Sequence, residues 1–370
     1  MNKKYVVFFI GTIAEYIKLF PVIEEMKKTN TPYKVIASGQ NEIINSDIAV
    51  ATGLKIDCQL SNEKDIVKNV FGLFYWFFKA LSRAKKQILN ALNGVDFERS
   101  IMVVHGDTLS TVIGAVVAKE LKMKVAHVEA GLRSHHLFSP FPEEIDRLTV
   151  SKIADYNYCQ GETAKENLKK SKGQVIDTKY NTVIDATNFT KGIEISNNQI
   201  NSIISQPFCI FVIHRQENLI QSNLVRQVVD KAIDVSKNKL VVFVMHKITE
   251  NTLKKLNLLD KLLNEKNVIP VKRLEYFDFT KLIINSDFVI TDGGSNQEEL
   301  CYLGKPTLVL RTATERTEGI GGNAVMFNGD IDTVSSFADE YEKYQKPPVI
   351  ADISPSKVIA EHLTNEINNL

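Results

Sequence analysis

Residues 104–149, VHGDTLSTVIGAVVAKELKMKVAHVEAGLRSHHLFSPFPEEIDRLT, decide the fold. A short apolar strand over 101–104 leads into this stretch, and a helical pattern of apolar residues follows over 112–121. A second apolar strand covers 124–128. The pattern predicts a strand–helix–strand unit whose two strands lie parallel and side by side.

Acidic residues follow both strands of this unit. Asp107 comes after the first strand, Glu129 directly follows the second, and a proline-containing loop leads to Glu143 and Arg147. Taken one by one, Asp107 could cap the next helix and the two glutamates could be solvated loop charges. Carboxyl ends of parallel strands are, however, where open sheets bind ligands. Neighbouring acids shift each other's pKa values and so suit proton transfer, which predicts a catalytic site.

Composition restricts the class of protein. The chain has 370 residues, 44% of them hydrophobic and 24% charged, which is typical of a soluble protein of two domains. A formal net charge of +1 argues against nucleic acid as a partner. The four cysteines show no CxxC or Cys/His ligand spacing, so we expect a cytoplasmic location and no metal site.

Two series of alternating strands and helices predict an α/β protein with two domains. The first series occupies residues 1–186, and the second, with five predicted strands, occupies 187–354. Residues 180–188 have no strong pattern and are predicted to be the linker. The last segment, 355–370, is predicted to be a helix that crosses back to the first domain. Site-like residues at strand ends in both halves predict a ligand cleft between two Rossmann-like domains.

One aromatic and basic stretch lies outside this pattern. Residues 70–78, VFGLFYWFF, are followed by four basic residues over 79–86. The apolar run is too short to span a bilayer, which takes about 20 residues. One interpretation is a helix packed on the sheet or in an oligomer interface. The alternative is peripheral membrane contact through 70–86.

The second half contains a candidate anion site. Thr291-Asp292-Gly293-Gly294-Ser295-Asn296 follows a predicted strand and opens a helix. We expect phosphates to meet the backbone N–H groups near Gly294 and Ser295 at the helix N-terminus, with Arg316 as a cation. Glu299, one turn into the helix, could accept hydrogen bonds from ribose hydroxyls. A tight turn without a ligand is the alternative.

Two aromatic residues of the second half could bind a nucleotide base. Tyr276 and Phe279 lie one helical turn apart on a predicted helix. Either ring could stack on a base, and either could equally belong to the core.

Nine segments of the chain resemble the bacterial non-hydrolysing UDP-N-acetylglucosamine 2-epimerases. They run in the family's order over nearly the whole chain, and HVEAGLR followed by PEExxR is a specific combination. The resemblance implies the GT-B fold, in which a cleft separates two Rossmann-like domains. The matching segments are GTIAEYIK (11–18), HGDT (105–108), HVEAGLR (127–133), SPFPEEIDR (139–147), NTVIDA (181–186), HRQEN (214–218), TDGGSNQEE (291–299), LGKPTLVLR (303–311) and TERTE (314–318).

The resemblance also implies a reaction and a set of site residues. The family eliminates UDP from C1 and C2 of the sugar and adds it back with C2 inverted, without a metal or nicotinamide cofactor. A UDP-sugar substrate, a homodimer and a role in surface polysaccharide synthesis are implied as well. The implied catalytic positions are Asp107, Glu129, Glu143 and His214, and the implied substrate-binding positions are Lys18, Arg147, Phe279, Glu299 and Arg316.

Two other functions remain open from the sequence. The family has Arg-Pro where this chain has Ile13-Ala14, so a cation expected near the pyrophosphate is missing. Together with the aromatic stretch at 70–86, this favours a GT-B glycosyltransferase with a membrane-linked acceptor as the alternative. A third hypothesis is a non-catalytic sensor of sugar nucleotides. Deuterium incorporation at C2 without an acceptor would distinguish the epimerase from the transferase.

Overall fold

The computed structural model describes residues 3–60, 70–135, 142–312 and 318–370, with the side chains of 70–78 and of Ser295 excepted. The chain divides into two compact units. The first unit combines Met1–Ala186 with Ala351–Leu370, and the second is Thr187–Ile350.

The first unit is built on a parallel sheet with the strand order β3-β2-β1-β4-β5-β6-β7. Its central strands are continuous apolar runs, because helices cover both faces of a sheet of this kind. The strands are β1 (Val6–Ile10), β2 (Tyr33–Ala37), β3 (Cys58–Gln59), β4 (Ile101–His105), β5 (Lys124–Val128), β6 (Tyr156–Cys159) and β7 (Gln174–Asp177). The helices are α1 (Ile13–Lys28), α2 (Asp47–Thr52), α3 (Val70–Ala91), α4 (Leu109–Glu120), α5 (Glu143–Ile153), α6 (Gly161–Asn167) and α7 (Val183–Lys191), the last of which continues into the second unit.

The second unit repeats this plan with the order β10-β9-β8-β11-β12-β13, again all parallel. The strands are β8 (Phe208–Val212), β9 (Leu240–Met245), β10 (Val268–Lys272), β11 (Val289–Thr291), β12 (Thr307–Val309) and β13 (Ala324–Met326). The helices are α8 (Asn198–Ile204), α9 (Gln216–Leu219), α10 (Ser222–Ser236), α11 (Lys247–Lys255), α12 (Leu259–Leu263), α13 (Tyr276–Asn285), α14 (Gly294–Tyr302) and α15 (Asp332–Glu340). Two doubly wound, Rossmann-like units are therefore present, as the sequence predicts.

The C-terminal helix α16 (Pro355–Asn369) packs in the first unit, against α1 and strand β6. Tyr156 Oη donates a hydrogen bond of 2.5 Å to Glu366, and Tyr158 Oη lies 2.8 Å from His362 Nδ1. The side chain of Leu363 is fully buried. Polar contacts at the two tyrosines thus fix the helix over an apolar interface.

The boundary between the two units, between residues 186 and 187, lies within the predicted linker 180–188, but this segment is helical rather than irregular. Residues 180–188 contain the start of α7, because Asn181 Oδ1 accepts a hydrogen bond of 3.0 Å from Val183 N and so caps the first turn. Asp185 Oδ2 on this helix accepts hydrogen bonds of 2.9 Å from Ser354 Oγ and Ser356 N at the start of α16. Contacts with a segment about 170 residues away decide this helix, and no local pattern shows them.

The aromatic residues 70–78 lie in α3, but their side chains are outside the described set, so the structure does not test membrane contact there. The later turns of α3 pack on the sheet, with Leu81, Ala84 and Ile88 buried. Within the described ranges, no helix is both long and apolar enough to cross a membrane.

Gly131 is required where the chain leaves β5. Its φ is +86°, and a Cβ atom there would lie 2.3 Å from the carbonyl oxygen of Ala164 on α6. Both the left-handed backbone and the contact with α6 exclude a side chain. The glycine lets the loop after β5 pass close to α6.

We predict that Gly131→Ala lowers the free energy of unfolding by about 2–5 kcal/mol, since a left-handed alanine costs about 1–2 kcal/mol and the clash adds to it. Gly94→Ala is the matched control, because Gly94 has a φ of +88° but no atom within 4 Å of the added Cβ. Urea unfolding measures both variants. Equal losses in the two would contradict the close approach to α6.

Candidate active site

The first acidic residue, Asp107, lies just beyond β4. Gly106 turns the chain with a φ of +67°. The cap of α4 is Thr108, whose Oγ1 accepts a hydrogen bond of 3.2 Å from Thr111 N. Asp107 is therefore not the helix cap, and its carboxylate is available for other contacts at this sheet edge.

Glu129 leaves β5 with a left-handed backbone, at a φ of +63°. A non-glycine residue in this region is strained by about 1–3 kcal/mol and persists only where its surroundings hold it. Its buried carboxylate forms an ion pair with Lys18 of α1 and accepts a hydrogen bond of 2.5 Å from Asn181 Nδ2. His105 Nε2 lies 3.7 Å away. These contacts hold the carboxylate of Glu129, whose backbone is strained, at the sheet edge predicted to bind substrate.

Arg147 of α5 connects the two sides of this site. Its Nε and Nη2 atoms contact Asp107 Oδ2 at 2.7 and 2.5 Å, and its Nη1 lies 3.5 Å from Glu144 Oε2. Glu144 is fully buried and also accepts hydrogen bonds from Arg133 Nε (2.5 Å) and Ser134 N (3.0 Å). Burial alone would raise the pKa of Glu144, but these donors outweigh it and hold the pKa below its ordinary value.

Two further buried acids have pKa values raised to about 7. Burial raises the pKa of Glu15, although Gly11 N and Thr108 Oγ1 each donate to its carboxylate at 2.7 Å. Burial also raises the pKa of Asp146 on α5, and the charges of Asp107 and Glu143 raise it further. Carboxyl groups that hold or release a proton near neutral pH suit proton transfer.

His127, fully buried on β5, is neutral and has a defined tautomer. Its Nε2 lies 2.8 Å from the carbonyl oxygen of Gly106, which can only accept, so we assign the proton to Nε2. Burial is the main cause that lowers the pKa of this imidazole. His127 thus fixes the turn that precedes Asp107.

In the second unit, Asp292 organises the loop after β8. This carboxylate is fully buried and accepts backbone hydrogen bonds of 2.9–3.0 Å from His214 and Arg215. Asn218 Nδ2 donates to it at 3.2 Å, and His214 Nδ1 lies 3.0 Å from Oδ1. Burial tends to raise the pKa of Asp292, but the hydrogen bonds around it lower the pKa overall. The His214 ring is oriented by this aspartate.

A second imidazole stacks on His214. The rings of His214 and His246 are 4.5 Å apart at 15°. Burial and the neighbouring His214 lower the pKa of His246 to about 4. Gly293 also lies against His214, since an added Cβ would be 3.1 Å from its Cε1. The ring is held on three sides, by Asp292, His246 and Gly293.

The predicted anion site lies at the start of α14, whose cap is Gly293 and whose first residue is Gly294. Glu299 and Tyr276 are both buried, and the pKa of Tyr276 is raised well above its ordinary value, first by burial and then by the charge of Glu299. The Tyr276 ring lies 5.7 Å from that of Phe277. Tyr276 is thus part of the core, and the partly buried Phe279 is the more accessible aromatic residue.

The structure brings together five predicted residues of the first unit at the carboxyl ends of β4 and β5. His214, Gly294, Glu299, Phe279 and Tyr276 belong to the second unit, while Arg316 and the side chain of Ser295 lie outside the described residues. The five residues of the first unit are Lys18, Asp107, Glu129, Glu143 and Arg147.

Several residues that shape the site were not predicted from the sequence. Six of them lie inside motifs quoted above and are buried, which a motif does not report, whereas His246 lies in none of those motifs. In the described part of the chain, no group of three or more His, Cys, Asp or Glu side chains is arranged to hold a metal ion. The missed residues are Glu15, His127, Glu144, Asp146, Asn181, His246 and Asp292.

Comparison with known proteins identifies relatives over almost the full length. A family model described as UDP-N-acetylglucosamine 2-epimerase matches residues 24–335. A UDP-N-acetylglucosamine 2-epimerase from Methanocaldococcus jannaschii is 32% identical over 330 residues, covering 87% of both chains. The structure of S. aureus MnaA with UDP superposes with a TM-score of 0.80 at 26% identity, covering 100% of this chain and 98% of that chain. A UDP-GlcNAc 2-epimerase from Neisseria meningitidis bound to UDP-GlcNAc gives a TM-score of 0.76 at 26% identity, covering 98% and 100%.

We predict that Glu144→Gln lowers the free energy of unfolding by about 2–4 kcal/mol at pH 7, since two arginines lose a buried anion. The pKa of Glu144 is lowered in the folded state, so its contribution is present above the unfolded pKa and is lost as the pH falls through the folded pKa. The difference in the free energy of unfolding between Glu144→Gln and wild type should therefore become smaller below about pH 4.5. Denaturant unfolding at pH 7 and pH 4 measures it.

The matched control is Glu162→Gln, because Glu162 is exposed on α6 and pairs only at the surface with Lys165. Its effect should stay within about 0.5 kcal/mol. An equally small effect at Glu144 would contradict its role in holding the two arginines.

Proposed function

The chain belongs to the UDP-N-acetylglucosamine 2-epimerase family, and from this we propose that it inverts C2 of a UDP-linked N-acetylated sugar, of the UDP-GlcNAc to UDP-ManNAc type. The observation that carries the proposal is the group of carboxylates at the ends of β4 and β5, which occurs in a chain similar to these epimerases over nearly all its length. Inversion at C2 needs proton transfer, and these carboxylates supply the groups for it.

The proposed reaction proceeds by elimination and re-addition. A carboxylate takes the proton from C2, the C1–O bond breaks, and UDP leaves with the bonding electron pair to give a glycal. UDP then adds back to C1 while a carboxylic acid delivers a proton to the opposite face of C2. The net change is inversion at C2, with no oxidant or reductant consumed.

We assign the proton transfers to Asp107, Glu129 and Glu143. Arg147 fixes the carboxylate of Asp107, and Lys18 with Asn181 fixes that of Glu129. Donors of this kind stabilise a negative charge and hold a base in one orientation. Lys18, which the sequence placed among substrate-binding residues, contacts Glu129 in the structure, so we propose that it positions the base.

We propose that the second unit binds the nucleotide. The N-terminus of α14, at Gly294 and Ser295, offers backbone N–H groups that can bind a phosphate. Arg316, later in the sequence, supplies a cation for the same phosphates. Glu299 is the acceptor for ribose hydroxyls, and Phe279 is the aromatic residue for the base. His214, oriented by Asp292, is proposed to contact the departing phosphate or a sugar hydroxyl.

The comparisons favour the epimerase over the glycosyltransferase that the sequence left open, because the relatives that match over most of the chain are named as epimerases. We further propose a homodimer and a role in surface polysaccharide synthesis, both supported by the family resemblance, and a cytoplasmic location, supported by four cysteines without CxxC or Cys/His ligand spacing. Peripheral membrane contact through 70–86 is supported by the aromatic and basic composition of that stretch. Sedimentation with anionic lipid vesicles tests this contact.

We predict that the protein, incubated with UDP-GlcNAc alone in deuterated water, incorporates deuterium at C2 of the sugar. Asp107→Asn and Glu129→Gln should each lower this exchange by about 10²–10⁴-fold, because an amide cannot take a proton from C2. Nuclear magnetic resonance of the sugar protons measures the exchange.

The control for these variants is Glu98→Gln, since Glu98 is a surface residue that pairs with Lys122. Its exchange rate should equal that of wild type. Absence of exchange in the wild-type protein would refute the epimerase function, and near-normal exchange in both active-site variants would refute the assignment of the acids.

We predict that Glu299→Ala weakens UDP binding by about 1–3 kcal/mol, because an acceptor for the ribose hydroxyls is lost. Isothermal titration with UDP measures the change. Asp260→Ala, an exposed acid on α12, should bind UDP as wild type does. If the two variants have the same affinity, the nucleotide lies elsewhere.

A further inference from the structure

The carbonyl group of Gly106, in the turn after β4, is not paired as a regular sheet would pair it. The two strands are in register at His105 and Val128, and Gly106 N donates to the Val128 carbonyl at 3.0 Å. Regular parallel pairing would next join Ala130 N to the Gly106 carbonyl. Ala130 N instead donates to the carbonyl of Tyr158 on β6, at 2.9 Å. The Gly106 carbonyl thus loses the backbone donor that the sheet would supply.

The left-handed backbone of Glu129 accounts for this change. In an extended strand, alternate residues point their N–H groups at the same neighbouring strand, so Ala130 N would point at β4. The φ of +63° at Glu129 lies outside the extended range, and the next N–H group turns to β6. The conformation that carries Glu129 out of the sheet therefore removes a hydrogen bond from the turn that precedes Asp107.

The side chain of His127 supplies the missing donor. Its Nε2 lies 2.8 Å from the Gly106 carbonyl oxygen, and both residues are buried. A neutral imidazole has one N–H group and a carbonyl oxygen only accepts, so this N–H group is on Nε2. Nδ1 is buried and has no hydrogen-bond partner among the described residues, which costs about 1–3 kcal/mol. The hydrogen bond from Nε2 offsets part of this cost and gives the polar ring a purpose here.

We propose that His127 is a positioning residue of the epimerase reaction, which replaces the lost backbone donor and so holds the peptide group that carries Asp107. The inference rests on the proposed function of this site. His127 does not touch the substrate and acts through the carboxylate of Asp107. Glu129 leaves the sheet, and His127 compensates for the hydrogen bond that the neighbouring turn loses.

The peptide group between Gly106 and Asp107 transmits this contact. The Gly106 carbonyl and the Asp107 nitrogen lie in one plane, so a donor on the carbonyl fixes the plane from which the Asp107 side chain starts. Side-chain packing does not hold Gly106, since an added Cβ would have no described atom within 4 Å. Its φ is +67°, and glycine adopts many other conformations at little cost. The hydrogen bond from His127 is what selects one of them.

The groups on either side of this peptide have other partners. Thr111 Oγ1 donates to the carbonyl of His105 at 2.6 Å. Arg147 Nε donates to the carboxylate of Asp107 at 2.7 Å. Asp107 is thus held at its carboxylate by Arg147 and through its backbone by His127. A misplacement of a catalytic group by about 1 Å can lower a rate by about 10²-fold, so both contacts matter for proton transfer.

Two variants of equal length test the donor. In glutamine the amide nitrogen is as many bonds from Cα as Nε2 is in histidine, so His127→Gln can still donate to the Gly106 carbonyl. His127→Met has the same length but no donor. At saturating UDP-GlcNAc, the methionine variant should incorporate deuterium at C2 about 10–100-fold more slowly than wild type, and the glutamine variant should stay within about threefold of it. Isothermal titration should give the same UDP affinity for both, because the proposed nucleotide site lies in the second unit.

The control is Tyr156→Phe, which removes another side-chain hydrogen bond of the same sheet, the bond to Glu366. It should lower the free energy of unfolding by about 1 kcal/mol and keep the wild-type exchange rate. Urea unfolding of all three variants separates stability from rate. Equal exchange rates in His127→Gln and His127→Met, whether both normal or both low, would overturn the proposal. An equal loss of rate in Tyr156→Phe would also overturn it.

A second measurement uses the wild-type protein without substrate. Long-range proton–nitrogen NMR spectra should show the His127 proton on Nε2, and the signal is assigned by its loss in His127→Gln. This N–H group should exchange slowly with deuterium, because it is buried and hydrogen-bonded. A proton on Nδ1 would overturn the proposal even if His127→Met does not fold. If wild type shows no C2 exchange but the proton is on Nε2, the proposed function fails, while the hydrogen bond that holds Gly106 stands.

Discussion

The arrangement of the candidate active site in the first unit depends on the guanidinium of Arg147. One side of this group contacts Asp107 after β4, and the other contacts Glu144, which in turn receives Arg133. A planar guanidinium with five donors can hold two carboxylates at a defined separation, which a lysine cannot do. The strand exit, the loop after β5 and the start of α5 are therefore tied together by one buried side chain.

Around this centre, the site contains features that a stable fold would avoid. Glu129 has a left-handed backbone, Glu15 and Asp146 are buried acids with raised pKa values, and Lys18 is buried beside Glu129. Each costs free energy unless its partners compensate. The compensation is complete at Glu129, which has Lys18 and Asn181, and incomplete at Asp146. Strain and unpaired charge at one sheet edge are typical of a site prepared for chemistry.

The second unit has the same architecture as the first but presents different chemical groups at its candidate site. Its buried Asp292 accepts several hydrogen bonds and has a lowered pKa, so it serves as a fixed anion. A fixed anion orients the His214 ring, and the start of α14 presents backbone donors in the same unit. A unit that presents donors and a held imidazole is suited to a phosphate, whereas the first unit is suited to proton transfer.

Much of this protein can be predicted from local sequence, because apolar runs and helical periodicity report burial directly. Helix α16 agrees with the predicted segment 355–370 to within one residue, and the sheet edge that carries the acids follows from where β4 and β5 end. Tertiary contacts decided the rest. The helix at Val183 depends on a cap and on a segment near residue 354. The motif PEEIDR contains three acids of similar type, and only packing of α5 determines that Glu144 is fully paired while Asp146 keeps an unpaired oxygen. A sequence specifies which groups can ionise, but the number of donors that reach each one depends on residues brought close by the fold.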